Sequence, residues 1–219
     1  EQYGLKSAFY FKAGSSNNQF DENYKLDMSW IQALLRRINE RGYEVGLHPS
    51  YETYRDENKL NSEFQALLQA TKRLNIDQEI WGARQHYLCW ENPITWQIYE
   101  DVGLAYDTTL TFADHAGFRC GTCYEFQVFN LKTRKVLHLR EHPLIVMDGT
   151  LLDEQYMALR LEQVLETIKH LSNSCRCYHG TFSLLWHNSM LWHNSNLIQS
   201  WQKELYLEIL RTIIHDRTK

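Results

Sequence analysis

Short apolar runs alternate in this chain with longer stretches whose apolar residues recur every three or four positions, which predicts strands and helices in turn. Residues 7–11, Ser-Ala-Phe-Tyr-Phe, form the first strand-like run, followed by a Gly-Ser-Ser-Asn-Asn turn at 14–18. Asp27 then caps a helix bearing Ile31, Leu34, Leu35 and Ile38 on one face, and Gly42 ends it. A strand follows at 43–47. Ser62 and Gln65 have the spacing of a capping box and open a second helix with an apolar stripe of Phe64, Leu67, Leu68, Thr71 and Leu74. After a strand at 80–83, Asn92-Pro93 starts a third helix that stops at Gly103. A strand at 104–106 leads into an irregular stretch, 107–125. Residues 126–130 and 136–139 read as a hairpin turning at 132–134. Residues 142–148 form a strand ending in an acid. A long helix is expected over 153–171, then a strand at 181–186 and a last helix carrying Leu197, Trp201, Leu205, Ile209 and Ile213.

This order, β-α-β-α-β-α-β, a hairpin, then β-α-β-α, predicts an α/β fold with a mostly parallel sheet and right-handed crossovers. No linker or shift in composition interrupts it, so one domain over 1–219 is the expectation. The only internal repeat is Leu-Trp-His-Asn-Ser, at 185–189 and again at 191–195. Its period is too short for a solenoid.

Composition narrows the function classes. Apolar residues make up 43% of the chain, enough for a packed core, which argues against disorder. The net charge of −4, with no long Lys/Arg runs, argues against nucleic-acid binding. Seven Trp and thirteen Tyr suit stacking against carbohydrate, although cores and interfaces draw on the same residues. No stretch is long and apolar enough to cross a bilayer, and no secretory leader pattern is visible. The five scattered cysteines read as reduced thiols of a cytoplasmic protein. Cys120-Gly121-Thr122-Cys123 has no second CxxC to complete a zinc site, and Cys175-Arg176-Cys177 is too closely spaced for a zinc knuckle.

Candidate chemistry gathers where predicted strands end. His48 closes the strand at 43–47 and is kept extended by Pro49. Glu52, four residues on, shares a face with it if the chain turns helically, and the two together offer a pair of metal ligands. The competing readings are a histidine packed beneath a turn and a solvated loop acid. Arg84 and His86 follow the strand at 80–83 and alternate, so an extended chain points them the same way. Arg84 suits bidentate grip on a carboxylate or a structural ion pair. Asp107 ends the next strand, with a turn or cap role before Thr108-Thr109 as its rival. Arg119, in the irregular stretch, is a candidate substrate contact. His187 ends the strand at 181–186, where it suits a general acid. Asp148 is placed to orient a histidine, and His193 is the weaker duplicate of His187.

These segments, in this order, resemble the polysaccharide deacetylases, metal-dependent carbohydrate esterases with a distorted (β/α) barrel. Residues 7–11 resemble the family's second strand, Glu44-Val45-Gly46-Leu47-His48-Pro49-Ser50 its metal-histidine segment, and Gly82-Ala83-Arg84 its arginine motif. Leu184-Leu185-Trp186-His187-Asn188 resembles its closing strand with the catalytic histidine. The resemblance covers most of the chain, with fewest anchors between Phe126 and Leu171. It implies removal of acetyl groups from an acetylated glycan by a barrel of this type. His187 would be the acid, and Arg84 and Asp107 further catalytic groups. His86 and Arg119 would contact substrate, and a divalent metal, zinc first, would sit at His48 and Glu52. Two features depart from the family pattern. Its paired Asp motif, which supplies the base and a metal ligand, falls on the strand before the one that 7–11 resembles. That strand would precede Glu1, so the sheet here is expected to lack it. The family's second metal histidine is replaced by Glu52. The incomplete ligand set implies weak or absent metal binding, and with it the alternative of an inactive carbohydrate-binding protein of the same fold.

Overall fold

The computed structural model describes residues 4–15, 17, 19–21, 24–191 and 200–215. It is a mixed α/β structure whose contacts fall into two compact units. One runs to Leu110 and takes in Glu125–His142; the other comprises Thr111–Tyr124 and the chain from Pro143 onward. No helix among the described residues is long and apolar enough to cross a membrane.

The first unit is built on β1 (Ala8–Phe11), β2 (Glu44–Leu47), β3 (Gly82–Ala83), β4 (Tyr106–Asp107), β5 (Phe126–Asn130) and β6 (Lys135–Glu141). They form one sheet in the order β1-β2-β3-β4-β6-β5, parallel except for the β5–β6 hairpin. Helices α1 (Ser29–Glu40), α2 (Glu57–Arg73) and α3 (Ile94–Asp101) connect the parallel strands. Ile31, Leu35 and Ile38 form the buried stripe of α1. Its end matches the expectation: Gly42 adopts φ +69°, and Tyr43 N–H donates back to Ile38 O at 3.1 Å. Its start does not, since Met28 holds the cap position and no side chain caps it. Helix α2 begins earlier than the Ser62 signal because Asp56 accepts from Lys59 N–H at 3.0 Å and caps the helix there. That places Leu60 beside Phe64 and Leu67 in the core, each contributing roughly 1.5–3 kcal/mol by burial. Pro93 takes the cap position of α3 rather than its first turn.

Parallel register lines up the strand ends. Phe11, Leu47, Ala83, Asp107 and Glu141 form one row, each in register with its neighbour and all buried. Main-chain bonds continue one residue further, with His48, Arg84, Thr108 and His142 N–H donating to Phe11, Leu47, Ala83 and Asp107 O. Side chains alternate across a strand, so this second row faces away from the first. On the second row's face, Tyr10 and Tyr106 reach across Gly46 and Gly82 until their hydroxyls meet at 3.0 Å. A Cβ on Gly82 would lie 1.9 Å from Tyr106 Cζ, and one on Gly46 2.4 Å from Tyr10 Cδ1, so both positions require glycine.

In the second unit, β7 (Val146–Met147) pairs parallel with β8 (Leu184–Leu185). Helices α4 (Asp148–Leu152), α5 (Leu161–Cys177) and α6 (Ser200–His215) complete it. Ile145, Val146, Leu151, Val164, Ile168 and Ile209 lie fully buried in its core. The helix expected over 153–171 starts later, at Leu161, and runs on to Cys177, and a short helix precedes it. Helix α4 opens at Asp148 itself, and the chain then turns through Asp153 and Ala158, the latter at φ +46°, before α5 begins. The strand expected at 181–186 pairs only at β8.

Candidate active site

In the first unit the polar groups meet at the ends of β1, β2 and β3. Lys12 follows β1, His48 follows β2, and Arg84 and His86 follow β3. Buried Gln85 ties these ends together. Its amide donates to Ser50 O at 2.8 Å and Thr53 Oγ1 at 2.9 Å, and its oxygen accepts from Tyr99 OH at 3.1 Å. The turn after His48 is thereby held against the segment carrying His86. Tyr87 and Leu88 come next at φ 55° and 54°, a conformation costing non-glycine residues about 1–3 kcal/mol each and common at functional sites.

His48 Nδ1 lies 2.6 Å from Arg84 O, and its Nε2 lies 2.9 Å from His86 Nδ1. Burial, with the nearby His86, opposes a charge on His48 and pushes its pKa down to about 3. His86 Nε2 lies 2.7 Å from Phe20 O and 3.0 Å from Lys12 Nζ. The Lys12 ammonium, buried in its turn, pairs with the buried Asp21 carboxylate at 3.3 Å. Two of the expected residues, His48 and His86, are thus brought into direct contact.

The other expected residues of this unit go elsewhere. Glu52 precedes a short 3-10 turn and pairs with Lys59 at 3.2 Å, both side chains nearly half exposed. Among the described residues no group of three or more His, Cys, Asp or Glu side chains converges as a metal site. Arg84 donates to Thr108 O at 3.1 Å and Thr108 Oγ1 at 3.2 Å and lies over the Tyr10 ring at 4.7 Å. It makes no ion pair among the described residues. Asp107 belongs to the first row and therefore faces away from Arg84, into the core beneath α3.

There Asp107 lies beside its register partner Glu141. Its Oδ1 accepts from Thr109 N–H at 2.9 Å and from the Thr109 hydroxyl. Trp96 Nε1–H donates to Glu141 Oε2 at 3.1 Å. Burial raises both carboxyls, Asp107 to about 6. Among the described residues Asp107 Oδ2 has no hydrogen-bond partner, a bare buried acceptor that a proton retained by Glu141 would satisfy. On the opposite face burial likewise raises Glu44, which accepts from Tyr106 OH.

In the second unit Asp148 and His187 form a dyad. His187 Nδ1 lies 2.6 Å from Asp148 Oδ1, and its main-chain N–H donates to Oδ2, also at 2.6 Å. Asp148 is fully buried at the end of β7, whereas half of the His187 side chain is exposed beyond β8. The carboxylate holds the proton on Nδ1 and leaves Nε2 as the outward nitrogen, the arrangement of an oriented acid or base. Arg119, in the same unit, donates to Thr111 O at 2.7 Å. His193 lies outside the described residues.

Lys12, Asp21 and Glu141 were missed from sequence. Lys12 directly follows an apolar run, as His48 does, and the same strand-end rule would have found it. Glu141 emerges only from register with Asp107, and Asp21 only from loop placement. No protein-family model matches this chain, and no curated protein matches it significantly.

Proposed function

We propose that this chain is a polysaccharide-deacetylase-like hydrolase that removes acetyl groups from an acetylated glycan. The observation that carries the reading is the Asp148–His187 dyad. It occurs at the closing-strand motif that resembles the family's catalytic histidine, with half of the His187 side chain exposed. In the reaction, water oxygen bonds to the acetyl carbonyl carbon, and the bond from that carbon to the sugar nitrogen or oxygen breaks. Protonated His187 delivers its Nε2 proton to the departing amine or alkoxide, and Asp148 steadies the imidazolium before transfer. The proton that the water sheds as acetate forms returns to Nε2. A distorted (β/α) barrel is the finer fold in this proposal, supported by a mainly parallel sheet whose strands end in Lys12, His48 and Arg84. The five cysteines are thiols, in keeping with a cytoplasmic site of action.

The family's divalent metal, when bound, polarises the acetyl carbonyl and activates water. The His48–Glu52 pair does not fit it, because Glu52 is turned to Lys59. That observation favours a second reading, a glycan-binding protein of the same fold without turnover. Acetate release from acetylated chito-oligosaccharides, followed with the wild type and His187→Ala, separates the two. Release that depends on His187 supports the hydrolase. Oligosaccharide binding without release supports the second reading, and neither one refutes both.

A further inference from the structure

Cys123 and Cys175 lie in the core of the second unit, 7% and 1% exposed, and both are free thiols. Cys123 stands near the end of the stretch Thr111–Tyr124, and Cys175 in the last turn of α5. The two thiols are in hydrogen-bonding contact. They meet beside the turn at 179–181, which the main chain of both cysteines holds. Gly180 N–H donates to Cys175 O at 2.8 Å, and Thr181 N–H donates to Cys123 O at 2.9 Å. A Cβ on Gly180 would lie 2.1 Å from Cys123 Sγ, so the sulfur fills space that only glycine leaves open there.

We infer that Cys123 and Cys175 are a peroxide-sensitive pair that closes reversibly into a disulfide, stapling the stretch 111–124 to the end of α5. Cys123, the less deeply buried sulfur, attacks hydrogen peroxide as the thiolate. The O–O bond breaks, a sulfenic acid forms, and the hydroxide released takes up the thiol proton as water. The Cys175 sulfur then bonds to the Cys123 sulfur. The S–O bond breaks, and the hydroxyl leaves with the Cys175 proton as a second water. Two thiols and one peroxide thus become one disulfide and two waters, and a small dithiol reverses the change by exchange. Burial, with the Cys123 thiol beside it, pushes the Cys175 pKa up to about 12. Cys175 therefore keeps its proton, resists peroxide itself and serves as the resolving thiol. Thr181 leads into β8 and His187, so the staple anchors the base of the segment that presents the dyad histidine. The inference stands on the thiol contact and not on the deacetylase reading.

Cys120 and Cys177 are the competitors, since both are less buried than the pair. Cys120 completes a CxxC with Cys123 and could claim the same sulfur. Cys177 follows Cys175 by two residues on α5, a spacing at which helical side chains do not face each other.

The reduced full chain, kept folded, is treated with hydrogen peroxide, capped with N-ethylmaleimide and mapped by mass spectrometry without reduction. The expected product is a Cys123–Cys175 cross-linked peptide that dithiothreitol reverses. The oxidised protein should melt roughly 5–10 °C above the reduced one. That rise should vanish in Cys175→Ala and persist in Cys120→Ala and Cys177→Ala. A Cys120–Cys123 or Cys175–Cys177 bridge in its place, a cross-link that forms only in urea, or an oxidised wild type that melts no higher than the reduced one would each overturn the inference. The peptide map and the melting comparison use the unmutated protein and do not depend on any variant folding.

Discussion

Replacing Asp107 with Asn should make the protein more stable at neutral pH and leave it nearly unchanged in acid. Asp107 is fully buried in register with Glu141, and burial raises its pKa from 3.8 to about 6. In that interval the folded protein holds a proton that the unfolded chain has released. Stability from this group is therefore complete below its unfolded pKa and is lost as pH rises through the folded one. A gap of about two pKa units at about 1.4 kcal/mol each amounts to about 3 kcal/mol, lost between roughly pH 4 and pH 6. Asn never ionises. Its oxygen can accept the Thr109 bonds that Asp107 accepts, and its amide can donate to Glu141. Removing the Asp107 charge also removes one of the causes that raise Glu141, so both effects act in the same direction. Urea denaturation at about pH 4.5, 5.5, 6.5 and 7.5 gives the comparison. The wild type should lose stability along that series, and Asp107→Asn should lose up to about 3 kcal/mol less. Parallel curves, or an equal deficit in the variant at every pH, would refute the reasoning. Glu141→Ala sets the opposite bound. It leaves the Asp107 carboxylate buried without its partner and should cost about 3–5 kcal/mol at neutral pH.

Gly82→Ala should destabilise the first unit by about 1–3 kcal/mol, read by thermal melting, because its Cβ would overlap the Tyr106 ring; an unchanged melting temperature would contradict the packing described. If acetate release is found, His187→Ala should slow turnover by roughly 10²–10⁴-fold and His193→Ala much less; a larger loss in His193→Ala would reverse the assignment. Asp148→Asn should fall between wild type and His187→Ala in rate, since it frees the imidazole tautomer while leaving the ring in place; a wild-type rate would remove Asp148 from the reaction.

Periodicity was enough for the strand and helix order, because side-chain period follows directly from backbone geometry. The hairpin, the Gly42 stop and the parallel sheet could be read from local residues alone. That Asp148, a strand-end acid, could orient a histidine was also legible, but that the histidine is His187 follows only from the pairing of β7 with β8. Helix starts were less legible. Asp56 and Ser62 are both chemically able to cap α2, and the core decided in favour of Asp56 by drawing Leu60 into the stripe of Phe64 and Leu67. The make-up of the site was decided still further from the local sequence. His48, Arg84 and Asp107 all end strands, yet a shift of one residue in register turns Asp107 to the opposite face, where it meets Glu141. His86 reaches His48 because β2 and β3 are adjacent and parallel, while Glu52, only four residues from His48, is drawn off to Lys59. Chain spacing sets which residues share a strand or a helical turn. Which side chains meet across strands depends on register and alternation, which exist only once the sheet has formed.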